Sequence, residues 1–346
     1  MAVERTEQLI AAIASLGAAS SGELSAKLSA SASPATVKRD LARLVAAGAV
    51  VTEGQGRATK YRLSPGFGVL RPINVDDYFK REIDEREIKA SFNWELLQET
   101  LSQVDLFTPD EARGLSKLDK EFRERVSRLS PTVYRKEMER LAIDLSWKSS
   151  QIEGNTYSLL ETERLLKDRQ TASGKTAEEA LMLLNHKAAT DFLIDNPDFL
   201  SPLSLPRIGD IHSLLIKDLG VARNIRNARV GITGTNYRPL DNSFQLAEAL
   251  ERSCEIINQR KTAFEKALLS VLLISYIQPF EDGNKRTARI VGNAALLAAA
   301  SCPLSYRSVN ATDYQKAILL FYEQGNISGF KSIFIEQFAF SVSTYF

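Results

Sequence analysis

Apolar residues recur at helical spacing along most of this chain, broken by a few polar, glycine-marked turns. Leu9, Ile10, Ile13 and Leu16 trace one helical face between Glu4 and Leu16. Ser20-Ser21 precedes a second short helix around Glu23–Leu28. Ser33-Pro34 opens a third, with Ser33 suited to the N-cap and Pro34 to the first helical position. Its apolar face is Val37, Leu41, Leu44 and Val45, and Gly48 suits its end. Val50-Val51-Thr52, a turn at Gly54-Gln55-Gly56 and the alternating Lys60–Leu63 run predict a small hairpin. From about Asp76 the periodicity is helical almost to the end. It predicts helices around 77–103, 109–129, 132–149, 157–170, 177–194, 205–218, 243–258, 261–277, 286–300, 311–323 and 327–342. The exception is 229–240, RVGITGTNYRPL, which reads as a short hairpin turning at Gly231 and Gly234. The expected fold class is mainly α.

Composition narrows the chemistry. The chain has 346 residues, 44% hydrophobic and 25% charged, with net charge +1. That length allows two or three domains of ordinary globular composition. The charge gives no global field toward nucleic acid or membrane, so any basic site must be local. Cys254 and Cys302 are the two cysteines, which excludes a disulfide framework and a cysteine-built zinc site and suits a reducing compartment. Two histidines, His186 and His212, are too few for a histidine-rich metal site. The N-terminal stretch has no continuous apolar core of a signal peptide, and the apolar run from Ala294 to Leu304 is too short to span a bilayer. A cytoplasmic location without membrane contact is the expectation.

The chemically informative stretch is Ser275–Asn293, SYIQPFEDGNKRTARIVGN. An apolar helix ends at Pro279, a polar loop follows, and a new helix starts with Lys285 and Arg286, with Arg289 one turn in. Three cations at a helix N-terminus oppose the helix dipole by roughly 0.3–1 kcal/mol each. The arrangement makes sense if an anion sits there: free N–H groups, the Gly283-Asn284 turn and two arginines on one face form a phosphate cradle. The plainer alternative is a solvated basic helix end paired with Glu281 and Asp282.

The same stretch resembles the motif of the Fic (filamentation-induced-by-cAMP) family, H-P-F-x-D/E-G-N-G/K-R-x-x-R. Gln278-Pro279-Phe280-Glu281-Asp282-Gly283-Asn284-Lys285-Arg286-Thr287-Ala288-Arg289 matches it everywhere but the first position. The resemblance implies roles. Phe280 would anchor the loop in the core and Asp282 would hold a magnesium ion. Gly283, Asn284 and Lys285 would bound the anion pocket. Arg286 would contact the inner phosphates of ATP and Arg289 the γ-phosphate. Ser149-Ser150-Gln151-Ile152-Glu153-Gly154 resembles the family's inhibitory motif, S/T-x-x-x-E-G/N, in which Glu153 would pair with Arg289; Ser149 and Gly154 are its other defining positions. A surface carboxylate near a helix end is the plainer alternative for Glu153. The segment Gly231-Ile232-Thr233-Gly234-Thr235 resembles the family's flap, which registers a target protein segment by strand addition. His212 and the Asn185-His186 pair read as structural. The resemblance covers about 140–346, after a helical connector at 65–139.

Residues 1–64 resemble a winged helix-turn-helix, with Lys38, Arg39 and Arg43 in the third helix and Arg57, Lys60 and Arg62 in the wing. Eight Lys or Arg stand against five Asp or Glu there. DNA binding and homodimerisation or protein docking are the two uses open to such a module.

The family reaction moves AMP from ATP onto a hydroxyl of a target protein, and the motif histidine takes the hydroxyl proton. Gln278 keeps a hydrogen-bonding head but no basicity near neutral pH, at a cost of ~100- to 10,000-fold for a lost general base. The resemblance therefore implies an ATP-binding adenylyltransferase homologue, held in check by Glu153 and impaired at Gln278. The alternatives are a nucleotide-sensing DNA-binding regulator and a protein that removes AMP from modified targets.

Overall fold

The computed structural model describes residues 2–28 and 32–346. The chain divides into two compact units, one ending at Arg71 and one running from Pro72 to Phe346.

In the first unit, α1 (Ala2–Leu16) buries Leu9, Ala12 and Ile13 on one stripe. The two-residue strand β1 (Ala19–Ser20) leads into α2 (Ser21–Lys27), whose start is a reciprocal cap between Ser20 and Glu23. Helix α3 (Pro34–Ala46) begins where Ser33 Oγ accepts from the Thr36 N–H, and Gly48 at φ +68° takes the left-handed turn after it. Strands β2 (Val50–Glu53) and β3 (Lys60–Leu63) pair antiparallel, with Val50 opposite Leu63. The sheet order is β1-β3-β2. β1 pairs Ala19 with Tyr61 and is too short to leave a periodic signal. Leu9, Ile13, Leu24, Val37, Leu41 and Val50 form the core of this unit. The short helix α4 (Pro65–Leu70) belongs to it, because Phe67 packs against that core.

The second unit opens with α5 (Val75–Tyr78) and α6 (Leu101–Gln103). Helices α7 (Pro109–Val126), α8 (Pro131–Ile152), α9 (Leu159–Asp168), α10 (Ala177–Asp195) and α11 (Leu205–Leu215) follow. After a long loop come α12 (Ser243–Gln259), α13 (Ala263–Ile277), α14 (Asn284–Ala298), α15 (Ala311–Gln324) and α16 (Ser328–Tyr345). Helix α13 is buried on every face from Ala267 to Ile277, so it is the central post of this unit. Helix α14 packs closely along it. A β-carbon at Gly292 would come within 2.8 Å of Val271 Cγ2 and 3.1 Å of the Ala267 carbonyl, so the close approach requires glycine there. Helices α8, α10 and α11 pack against one another or against α14 and frame its N-terminus. No described helix is long and apolar enough to cross a membrane.

Two expectations are corrected. The periodicity at 77–103 predicts one helix, but residues 79–93 form none beyond the single 3-10 turn Ile83–Glu85. The backbone there bonds to other elements instead of to itself: Lys89 N–H donates to the Glu323 carbonyl and Asn93 N–H to the Tyr276 hydroxyl. Tertiary partners override a charged, helix-compatible composition. The 229–240 segment does turn at Gly234 (φ +88°), but its two limbs form no ladder with each other. Its carbonyls at Gly234 and Leu240, and that of Ala228 just before it, accept from arginine side chains, and Arg238 bridges Ser91.

Candidate functional site

The loop between α13 and α14 is fixed at both ends. Gln278 closes α13 in the left-handed region (φ 52°, ψ 57°), which costs a residue with a β-carbon roughly 1–2 kcal/mol. Pro279 cannot continue the helix, and Arg226 offsets the strain. Its Nε donates to the Gln278 carbonyl at 2.7 Å and its backbone N–H to the Pro279 carbonyl at 3.0 Å. Gly283 (φ 79°) starts α14. Asn284 latches the turn: Oδ1 accepts from the Phe280 N–H and Nδ2 donates to the Phe280 carbonyl, both at 2.8 Å. Phe280 is buried and stacks on His212, with ring centroids 3.7 Å apart and planes 6° apart. His212 Nε2 lies 3.0 Å from the Asp282 carbonyl. Burial lowers the His212 pKa and outweighs the opposing pull of that carbonyl, so the ring is neutral and donates from Nε2. His212 thus holds the loop from below, a structural role.

The first turns of α14 carry the cations. Arg286 is buried, with Nη2 donating to Asp282 Oδ2 at 2.5 Å, while its Nε and Nη1 have no partner. Arg289 is fully buried. Its Nε donates to Ser149 Oγ and its Nη2 to the Ser149 carbonyl, each at 2.8 Å, and Nη2 also reaches Glu153 Oε1 at 2.9 Å. Its guanidinium lies 5.3 Å from the Tyr314 ring centroid, and its Nη1 has no partner. Lys285 Nζ meets the other Glu153 oxygen at 3.5 Å. Glu153 is the residue that ends α8, and Gly154 at φ +96° turns the chain away after it. Burial works to raise the Glu153 carboxyl, but Arg289 and Lys285 together hold it below its ordinary value. Ser149, Glu153, Lys285, Arg286, Arg289 and Asp282 thus meet at one helix N-terminus.

Gln278 Nε2 donates to the Ser275 carbonyl at 2.6 Å and to the Tyr322 hydroxyl at 3.2 Å. Beside it lies a cleft of about 330 Å³, lined among others by Ile232, Thr233, Gln278, Lys285, Tyr314 and Tyr322. Gly231 also lines it, whereas Gly234 makes the turn and Thr235 Oγ1 accepts from the Tyr237 N–H. Asp282 is largely exposed at its side chain, with one oxygen on Arg286. Among the described residues no group of three or more His, Cys, Asp or Glu could hold a metal, so a cation at Asp282 would need oxygens from a ligand. The unpartnered, buried N–H groups of Arg286 and Arg289 fit phosphate oxygens.

A family comparison matches residues 202–296 to the Fic/DOC family. Those residues are a Fic/DOC family domain. The chain is 28% identical over 176 residues to "Protein adenylyltransferase Fic" of Nematostella vectensis, covering 49% of this chain and 40% of that protein. It is 28% identical over 157 residues to "Protein adenylyltransferase fic-1" of Caenorhabditis elegans, covering 42% and 30%. The matched stretch therefore spans less than half the length of these relatives. Among solved structures, C. elegans Fic-1 superposes with a TM-score of 0.60 at 20% identity, over 68% of this chain and 72% of that one. A Fic domain containing signaling protein from Bacteroides thetaiotaomicron gives 0.56 at 17% identity, over 67% and 95%. The helical Fic fold is shared with both.

Within the Fic domain the residue that sequence reasoning missed is Arg226. It is buried and joins the motif loop to both ends of the flap, because Nη1 and Nη2 donate to the Ala228 and Leu240 carbonyls at 2.6 Å. One of several arginines in the run Arg223–Val230, it carries no periodic or motif signal of its own. Removing it would leave several buried carbonyls unpaired, each worth about 1–3 kcal/mol. Arg226→Ala is expected to destabilise the domain by about 3 kcal/mol or more in denaturant melts. A loss under about 0.5 kcal/mol would show that the clamp contributes nothing.

Proposed function

We propose that this chain is an ATP-binding member of the protein-adenylyltransferase type. In this scheme Glu153 restrains it, and Gln278 impairs AMP transfer by standing where the chemistry needs a base. The observation that carries the proposal is the state of Arg289. A fully buried guanidinium is bound to Glu153 and Ser149 beside unpartnered N–H groups of two arginines. A γ-phosphate would compete with the Glu153 carboxylate for Arg289. Arg286, Lys285, Gly283 and Asn284 would take the inner phosphates, and Asp282 would hold magnesium jointly with phosphate oxygens. Two relatives are named protein adenylyltransferases, which supports the AMP donor.

Calorimetric titration with ATP, ADP, AMP and adenosine tests the cradle. Affinity should fall stepwise as phosphates are removed from ADP to adenosine, because the inner-phosphate contacts do not involve Glu153. Equal affinity for adenosine and ADP would refute it. The Glu153 restraint also has a pH signature. A carboxyl with a depressed folded-state pKa contributes its ion pair fully above its unfolded value of ~4.3, and loses it as pH falls through the folded value. The ATP-affinity difference between native protein and Glu153→Gly should therefore be flat from pH 6 to 8. A gap that closes across that range would mean that another group sets it.

The first unit supports a second reading, a winged helix-turn-helix that binds DNA. Lys38, Arg39 and Arg43 of α3 are exposed, and Arg43 lies 3.7 Å from Asp40. In the wing Lys60 is exposed and Arg62 pairs with Glu53; the Arg57 side chain lies outside the described residues. Phosphate contacts would make binding steeply salt-dependent. Arg39→Ala should weaken duplex binding at low salt while leaving ATP binding unchanged. A protein that dimerises but binds no duplex at low salt would favour docking or a homodimer instead.

A further inference from the structure

The segment between α5 and α6 runs beside the flap and contributes Arg86 to a buried ion pair with Glu323 of α15 that no motif includes. Arg86 and Glu323 have side chains 3% and 0% exposed, with Nη1 3.1 Å from Oε1. Glu323 Oε2 accepts from the Tyr78 hydroxyl at 2.7 Å. Burial first, and then Glu323, raises the Tyr78 pKa, so the phenol keeps the proton that it donates. Phe79 covers the Arg86 guanidinium at 4.8 Å from its ring centroid. A second arm, Nη2, donates to the Gly234 carbonyl at the tip of the flap, at 2.8 Å, while Nε has no partner. Two further ties run alongside: Asn236 Nδ2 to Asp84 Oδ1 at 3.1 Å, and Arg238 N–H to the Ala90 carbonyl at 2.9 Å.

A buried ion pair rarely stabilises more than well-packed apolar residues would, because both charges lose their hydration. Its best-attested use is to fix one arrangement among several. Here the geometry names the arrangement. The flap limbs have no ladder between them, so their position depends on outside ties. Glu323 neighbours Tyr322, whose hydroxyl meets Gln278, and Gly234 follows Ile232 and Thr233 on the cleft wall. We infer that Arg86 is a positioning residue. Its guanidinium ties the flap tip to α15, and so sets the separation between the Ile232–Thr233 wall and the Gln278–Tyr322 wall. The hydrogen bond, ion pair and ring contacts of the Arg86 side chain involve Gly234, Glu323, Tyr78 and Phe79 rather than the phosphate-cradle residues, so this role is independent of which nucleotide binds.

Amide hydrogen exchange on the full chain tests it. Lysine is a point charge that can stay with Glu323 but cannot present a planar fork to Glu323 and Gly234 together. Arg86→Lys should therefore speed exchange of the Tyr237 and Arg238 amides, which bond to Thr235 Oγ1 and the Ala90 carbonyl, by about tenfold or more, with ATP affinity within about threefold of native. Arg86→Gln alone leaves Glu323 buried and uncompensated and should lower thermal stability; the double variant Arg86→Gln, Glu323→Gln removes both charges and should restore it. The flap of that double variant should still exchange fast. If the Tyr237 and Arg238 amides exchange within twofold of native in both the lysine and the double variants, Arg86 does not position the flap. Acceleration spread evenly over α5, α15 and the flap would also overturn the proposal, since it would mark a general structural role.

Discussion

Gln278→His, introduced into a chain that also carries Glu153→Gly, is expected to raise AMP transfer from labelled ATP by ~100- to 10,000-fold over Glu153→Gly alone. The frame for a base is already built. Position 278 is held in its left-handed conformation by Arg226 and Pro279, and the loop after it by the Phe280–His212 stack and the Asn284 latch. The Tyr322 hydroxyl that meets the glutamine amide can hydrogen-bond an imidazole instead. No neighbour can stand in for the missing base. Burial pushes the Tyr322 pKa far up, so its phenol stays protonated. His212 is committed to Phe280 and Asp282. His186 is fully buried, and burial together with Arg289 and Arg286 lowers its pKa so far that the ring is a poor proton acceptor. Asp282 is paired with Arg286. Label incorporated into the chain itself or into added acceptor proteins measures the gain. If the native chain already transfers AMP as fast as the double variant, the base does not reside at position 278.

Much of the fold was legible because α13 carries a long apolar run, and because Ser33 and Pro34 begin α3 with an ordinary cap. The motif loop was legible through residue types that its geometry demands: a glycine at positive φ, an asparagine that bonds back to Phe280, and a proline that stops α13. The ties that hold the loop in place were not. Arg226 and Arg86 act on backbone carbonyls 52 and 148 residues away, and a carbonyl has no identity in a sequence. The helix expected at 77–103 failed for the same reason. Lys89, Arg86 and Asn93 find partners on α13 and α15, and nothing local announces that competition. The hairpin expected at 229–240 read its glycines correctly at Gly234, but its limbs bond to side chains rather than to each other.

Glu153→Gly is expected to tighten ATP binding by about tenfold or more, while AMP affinity changes by less than about threefold. The carboxylate occupies two cations at once, Arg289 at 2.9 Å and Lys285 at 3.5 Å. A γ-phosphate carries the same sign of charge and wants the same guanidinium, so the two exclude each other. Effective attraction between unit charges about 4 Å apart is roughly 4 kcal/mol near a protein surface, which leaves ample room for a tenfold effect, or ~1.4 kcal/mol, after desolvation. AMP has no phosphate to place at Arg289 and should not sense the change. Glycine is suited to the position because Glu153 lies outside the regular helix, at the end of α8, where little helical propensity is lost. The decisive measurement is calorimetric titration of the native chain and of Glu153→Gly with ATP and AMP, with magnesium present and at one salt concentration. A selective gain for ATP is the expected result; equal affinities of the two proteins for ATP would contradict the proposal that Glu153 guards a phosphate site at Arg289.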